Sequence, residues 1–161
     1  HLSIRRQRQM CIRDRHYIEV YEMNRDQLQS YIYTEKLLAQ LYRRAAALAT
    51  MQSERDALLA FARDAEQNAN YLNYFYRLEF GTAFDPMIPD VNIQGGYREL
   101  LNEIQRQELS SFLALRRLTY NQGNAELRET MRAITDNKLG HILTILAIVT
   151  NMNTPGQERK I

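Results

Sequence analysis

Three ionisable side chains occupy positions where the sequence pattern calls for buried apolar residues. Glu35, Glu108 and His141 each fall within a run of apolar side chains repeated at steps of three and four residues. Burial of a carboxylate among Leu and Ile side chains costs several kcal/mol unless a partner charge or a metal compensates it. Lys138 lies in the same pattern, three residues before His141. We therefore expect these groups to neutralise one another, or to be neutralised by a metal ion, inside the protein.

Four helical segments must position these residues. The apolar periodicity predicts helices over residues 24–50, 53–81, 97–121 and 124–152. Asn24 and Gln27 have the spacing of a capping box at the first helix. The interior face of the second helix is predicted to consist of Leu59, Ala62, Ala65, Ala69, Leu72 and Tyr76.

The connection between the second and third helices is unlike the other two connections. Residues 81–96 include Pro86, Pro89 and the Gly95-Gly96 pair, which exclude a helix interior. The short turns make the helices within each half antiparallel neighbours, and the long connection can run the length of a bundle. The sequence thus predicts an all-α four-helix bundle of two antiparallel helix hairpins joined by a long crossover, over residues 16–153, with a flexible tail at 154–161.

This arrangement resembles the ferritin-like and rubrerythrin-like di-iron carboxylate proteins over residues 25–152. The resemblance lies in the bundle with its crossover, in Glu35 followed by Tyr42 seven residues later, in Glu108 on the third helix and in His141 on the fourth. In that family, helices one and three each provide one Glu, and helices two and four each provide a Glu-x-x-His pair. Such ligands suit iron or manganese.

Both paired motifs depart from the family pattern. Lys138 stands where the family has Glu, three residues before His141. The second helix offers either Ala65 with Asn68, or Glu66 three residues before an Ala, and neither choice gives Glu-x-x-His. A cation at position 138 places positive charge where two metal ions would bind, so we do not expect an intact di-iron centre.

Our leading hypothesis is that Lys138, with His141, replaces the metal as the counter-charge to Glu35 and Glu108. The chain would then be a structural or interaction module that has kept the family's fold and lost its chemistry. The alternative is a rubrerythrin-like redox protein that binds a single iron or manganese ion and acts on iron, oxygen or peroxide. Its metal ligands would be Glu35, Glu66, Glu108 and His141. The residues around the ligands, or replacing the metal, would be Lys138, Tyr42 and Asn68.

The N-terminal segment distorts the composition of the chain. Residues 1–15, HLSIRRQRQMCIRDR, resemble translated sequencing-adapter DNA, and we predict that they are not native. They contain five Arg, one Asp and the only Cys, Cys11; without them the formal charge changes from +2 to −2, with 16 basic and 18 acidic residues. The basic balance therefore does not indicate nucleic-acid binding, although an Arg-rich arm for an acidic partner is the alternative.

The remaining composition indicates one soluble domain. The 161 residues are 45% hydrophobic and 25% charged, which excludes a disordered chain. The longest apolar run, residues 142–149, is far shorter than the roughly 20 residues of a membrane-spanning helix. That run is apolar on nearly all sides, which fits either a buried fourth helix or a homodimer face. We expect a cytoplasmic homodimer. The Asn- and Tyr-rich stretch 68–76 fits core packing or a pocket.

Overall fold

The structure is a computed structural model that describes residues 23–90 and 95–152. The predicted non-native segment 1–15 and the predicted tail 154–161 lie outside these residues. Four helices account for most of the described chain, which contains no strand: α1 (Arg25–Leu48), α2 (Gln52–Phe80), α3 (Tyr97–Thr119) and α4 (Ala125–Met152). The predicted all-α fold is confirmed. In the described part of the chain, no helix combines the length and the apolar character needed to cross a bilayer.

Local sequence signals mark some of the helix ends. The Asn24 side chain accepts a hydrogen bond from the Gln27 backbone at 2.9 Å, and the Gln27 side chain accepts one from the Asn24 backbone at 3.0 Å, so the predicted capping box is confirmed. Gly81 ends α2 in the left-handed conformation, with φ of 77°. The second helix was predicted to begin at residue 53, but α2 begins at Gln52, and its N-cap, Met51, makes no side-chain hydrogen bond.

The interior holds two apolar cores, one near each end of the bundle. The upper core joins the C-terminal parts of α1 and α4 to the N-terminal parts of α2 and α3. The lower core joins the opposite ends of the same four helices. α2 ends at the lower core and α3 begins at the upper core, so the two ends of the connection between them lie at opposite ends of the bundle. The predicted pair of hairpins joined by a long crossover is confirmed.

Each helix packs against two others. α1 contacts α2 and α3, and α4 contacts the same two helices, so that α2 and α3 lie on a diagonal. The first part of the crossover is held against α2 by Asn73, whose side chain bonds both the backbone N–H of Phe84, at 2.9 Å, and its backbone carbonyl, at 2.8 Å. Lys36 of α1 pairs with Asp85 of the crossover.

One predicted interior position on α2 is wrong. Leu59 is 36% exposed, whereas its neighbour Leu58 is fully buried in the upper core. Successive helical residues differ by about 100° in direction, and the other buried residues of α2 favour position 58 at their steps of three and four.

Candidate functional site

Between the two apolar cores lies a layer of buried polar side chains. Glu35 of α1, Glu108 of α3, and Lys138 and His141 of α4 are between 0% and 4% exposed, which confirms their predicted burial. Asn68 of α2 is also buried, so that all four helices contribute to the layer. We refer to Glu35, Tyr42, Asn68, Glu108, Lys138 and His141 as the central cluster.

Lys138 lies at the middle of the central cluster. Its Nζ is 2.5 Å from Oε1 of Glu35 and 2.8 Å from Oε2 of Glu108, and its side chain is fully buried. The second oxygen of Glu35, Oε2, accepts a hydrogen bond from the Asn68 amide at 3.1 Å. A single ammonium thus joins carboxylates from two helices and occupies the space between them.

Glu108 has more polar partners than Glu35. Besides Lys138, its Oε1 accepts a hydrogen bond from the Tyr42 hydroxyl at 2.6 Å and lies 3.1 Å from Nδ1 of His141. Both oxygens of this carboxylate are therefore solvated by protein groups. Tyr42 lies two helical turns from Glu35 on the same face of α1, as its seven-residue spacing predicts.

His141 connects the central cluster to the surface. Its Nε2 is 3.2 Å from Oδ2 of Asp64, whose side chain is 43% exposed. The imidazole also lies against Phe61, with ring centroids 4.1 Å apart. Because both ring nitrogens face carboxylates, only the imidazolium form can donate to Glu108 and Asp64 at the same time.

The site analysis from sequence did not include Asp64 or Phe61. A signal was nevertheless present, because Asp64 precedes Asn68 by four residues and therefore lies on the same side of α2. Choosing Asn68 as an inward position places Asp64 at the edge of the buried face. The ambiguity of the α2 register concealed this relation.

The two buried carboxylates differ in acidity. Burial raises the pKa of Glu35 above its ordinary value, and the nearby charge of Glu108 raises it further, while Lys138 acts in the opposite direction. Burial also favours the neutral form of Glu108, but Lys138, His141 and Tyr42 outweigh burial and lower the pKa of Glu108 to about 2. Glu108 is therefore the more firmly ionised of the two.

The neighbouring groups respond to the same charges. Burial lowers the pKa of Lys138, yet the two carboxylates outweigh that effect, so its pKa is raised and the ammonium form is favoured. Burial, with the negative charge of Glu108, raises the pKa of the Tyr42 hydroxyl well above its usual range. Tyr42 is thus held as a hydrogen-bond donor, and Lys138 as a cation.

The fourth predicted metal ligand, Glu66, lies away from the central cluster. Its side chain is 50% exposed and pairs with Arg43 on the surface formed by α1 and α2. α2 instead turns Ala65 and Asn68 inward, which settles the register of this helix. Three of the four predicted ligands, Glu35, Glu108 and His141, come together.

The donor atoms as arranged do not fit a metal ion. The Lys138 ammonium occupies the space between Glu35 and Glu108, and the remaining oxygens of these carboxylates are bound by Asn68, Tyr42 and His141. Within residues 23–90 and 95–152, no three His, Cys, Asp or Glu side chains are grouped so that they could hold one. The central cluster instead forms ion pairs and hydrogen bonds among its own side chains, in a fixed geometry.

Comparison with family models, curated proteins and solved structures found no significant match for the chain. The class of the molecule is therefore defined by its own features, a four-helix bundle with a long crossover and a buried Glu-Lys-Glu arrangement.

Proposed function

We propose that the protein is a ferritin-like bundle in which Lys138 has taken the place of the metal, and that it serves as a structural or interaction module. The observation that carries the proposal is the position of the Lys138 ammonium, 2.5 Å from Glu35 and 2.8 Å from Glu108, without exposure to solvent. These are the two carboxylates that the resemblance assigns to a metal.

The placement of the flanking residues supports the same proposal. Glu35, Glu108 and His141 come from the helices that provide single Glu ligands and a His ligand in the ferritin-like family. The long crossover gives the helices the order that such a site requires. Lys138, in place of the Glu that the family has at this position, gives the arrangement its own cation, and α2 supplies Ala65 and Asn68 in place of the family's other Glu-x-x-His pair.

The network has a structural role in this proposal. A lone ammonium balances one carboxylate, and hydrogen bonds from Tyr42, Asn68 and His141 stabilise the rest of the negative charge. Buried ionic groups of this kind add little net stability compared with apolar packing, but they can specify which helix faces meet. The central cluster would fix the register of four helices around one point.

Metal loading tests the proposal directly. Protein prepared in chelator is incubated with Fe(II) or Mn(II) without oxygen, desalted, and analysed for metal. We expect the wild-type protein to retain no more metal than it does after heat unfolding and desalting. Retention of about two iron ions per folded chain would refute the proposal and favour a redox protein.

A pair of variants tests whether the Lys138 ammonium prevents metal binding. Lys138→Glu removes the buried cation and supplies the expected ligand, whereas Lys36→Glu changes a lysine that pairs with Asp85 at the surface. We expect Lys138→Glu alone to gain metal affinity. Equal binding by both variants would show that Lys138 does not occupy a former metal position.

We propose a second copy of the chain as the interaction partner, as the apolar run 142–149 led us to expect. Leu143 and Leu146 of α4 are 57% and 47% exposed, and Leu109 of α3 is 46% exposed. These three side chains lie level with the central cluster or nearer to the upper core. A second copy that covers them would leave uncovered the part of α3 and α4 nearer to the lower core.

Sedimentation velocity tests this self-association. We expect Leu143→Gln to shift a dimer toward monomer, whereas Leu78→Gln should leave it unchanged, because Leu78 is 65% exposed on α2, away from the α3 and α4 face. A monomeric wild-type protein at micromolar concentration would refute the dimer.

A further inference from the structure

A second site lies on the outside of the bundle, away from the central cluster. The C-terminal half of α3 and the N-terminal half of α4 form a groove of about 730 Å³, a volume typical of small-molecule sites. We call it the arginine groove. It is lined by Phe112, Arg116, Thr119, Tyr120, Arg128, Glu129, Arg132, Thr135, Asp136 and Leu139.

Three arginines from two helices line this groove. Arg128 is held in place by a hydrogen bond of 3.1 Å to the backbone carbonyl of Gln122, a residue that is 5% exposed. Arg116 and Arg132 form no ion pair or hydrogen bond with any residue in the described part of the chain. Their donor groups are therefore available to a ligand. Glu129 and Asp136 also line the groove, which leaves an excess of one positive charge.

The groove also has apolar walls. Phe112 is partly buried between the helices, and Leu139 is 45% exposed on the opposite side. Leu139 lies two helical turns beyond Arg132, about 10 Å along α4 at 1.5 Å per residue. A molecule that lies along the groove would thus meet guanidinium groups at one end and apolar carbon at the other.

We propose that the arginine groove binds an amphipathic carboxylate, namely a single anionic head group on an alkyl chain of medium length. Guanidinium groups bind carboxylates through paired, charge-assisted hydrogen bonds, which Arg116 and Arg132 can supply from the two sides. Phe112 and Leu139 then cover the chain and remove its apolar surface from water. Glu129 and Asp136 restrict the site to ligands of low negative charge. Carboxylate binding in the arginine groove does not depend on whether the central cluster binds a metal ion.

Three probes separate the contributions of head and chain. Decanoate, used below its micelle concentration, carries both features; decan-1-ol carries only the chain, and inorganic phosphate carries only the charge. Isothermal titration calorimetry should detect saturable binding of decanoate at one site per chain, and at least tenfold weaker binding of the other two. Equal binding of decan-1-ol, equal binding of phosphate, or the absence of decanoate binding would each overturn the proposal.

Arginine variants localise the site. The double variant Arg116→Gln with Arg132→Gln should weaken decanoate binding at least tenfold, or about 1.4 kcal/mol. Arg117→Gln is the matched control, because Arg117 is exposed on the same turn of α3 and does not line the groove. Circular dichroism should show unchanged helix content in all variants. Loss of binding with Arg117→Gln, or its persistence in the double variant, would place the ligand elsewhere.

Discussion

Replacement of Lys138 by Met tests the central cluster most directly. Met has a similar length and fits the apolar surroundings, but it leaves Glu35 and Glu108 facing each other without a cation. Removal of one partner from a buried ion pair typically costs about 3–5 kcal/mol, because the remaining charge is uncompensated. A small domain has a total stability of about 5–15 kcal/mol. We therefore expect Lys138→Met to lose a large share of the free energy of unfolding at pH 7.

The loss of unfolding free energy in Lys138→Met should be larger at high pH than at low pH. Without the ammonium, burial and mutual repulsion raise the pKa of the carboxyls above their values in the unfolded chain. A carboxyl with a raised pKa favours the folded state fully below the unfolded pKa, and that contribution is lost as pH rises through the folded pKa. The variant should accordingly be closer to wild type at pH 5 than at pH 7.

Urea unfolding followed by circular dichroism at the two pH values measures both effects. Lys36→Met is the control, and as a change outside the interior it should alter stability by less than about 0.5 kcal/mol. Addition of Glu35→Gln to Lys138→Met should restore part of the loss, since it removes one unpaired charge. A loss below about 1 kcal/mol, or the same loss at pH 5 and pH 7, would refute the charge argument.

Other predictions concern individual contacts and the acid limb. The pKa of Glu108, about 2, lies below the ordinary glutamate pKa of about 4.3. Its contribution of about 3 kcal/mol is therefore present above the unfolded pKa and is lost as pH falls toward 2; urea unfolding at pH 3 and pH 5 should show most of this loss in wild type, and less of it in Glu108→Gln. Tyr42→Phe removes the 2.6 Å hydrogen bond to Glu108 and should cost about 1.5–3 kcal/mol in the same assay, against little change for Tyr71→Phe, whose hydroxyl accepts an exposed bond. Lys138→Glu should lower the melting temperature in chelator because a third carboxylate enters the interior; an unchanged value would contradict the buried position of this side chain.

The fold could be predicted because its signals are local and repeated. Spacings of three and four residues identify the four helices, Asn24 begins the first of them, and Gly81 ends the second. The burial of Glu35 and Glu108 followed from the same spacing. These features depend on the spacing of residues within one helix, and that spacing can be read from the sequence.

The contacts at the edge of the buried face could not be predicted in the same way. Ala62, Ala65 and Ala69 allow two registers of α2, because Ala is compatible with the interior and with the helix edge. The choice between Glu66 and Asn68 as the inward polar residue depends on the partner that each meets in space. Asn68 meets Glu35, whereas Glu66 meets Arg43 at the surface. Only the packing of α2 against α1 and α4 determines this, and it also places Asp64 beside His141.

The two carboxylates of the central cluster have unequal numbers of hydrogen-bond partners. This difference indicates which of them carries the negative charge that Lys138 does not balance. Glu108 is bound by Lys138, Tyr42 and His141, and its pKa is lowered to about 2, whereas burial raises the pKa of Glu35. When folding raises the pKa of an acid, the charged form of that acid stabilises the folded state less than the neutral form does. Neutralising Glu35 should therefore cost less than neutralising Glu108.

The matched substitutions Glu35→Gln and Glu108→Gln test this difference. Each leaves Lys138 with one carboxylate, so that the charge count is the same in both variants. Gln at position 108 turns an amide toward the donor groups of Tyr42 or His141 and loses charge-assisted hydrogen bonds, which we expect to cost about 3 kcal/mol at pH 7. Gln at position 35 can still accept from Lys138 or Asn68, and its cost should stay below about 1 kcal/mol. Equal losses in urea unfolding would mean that the two carboxylates share the ammonium evenly.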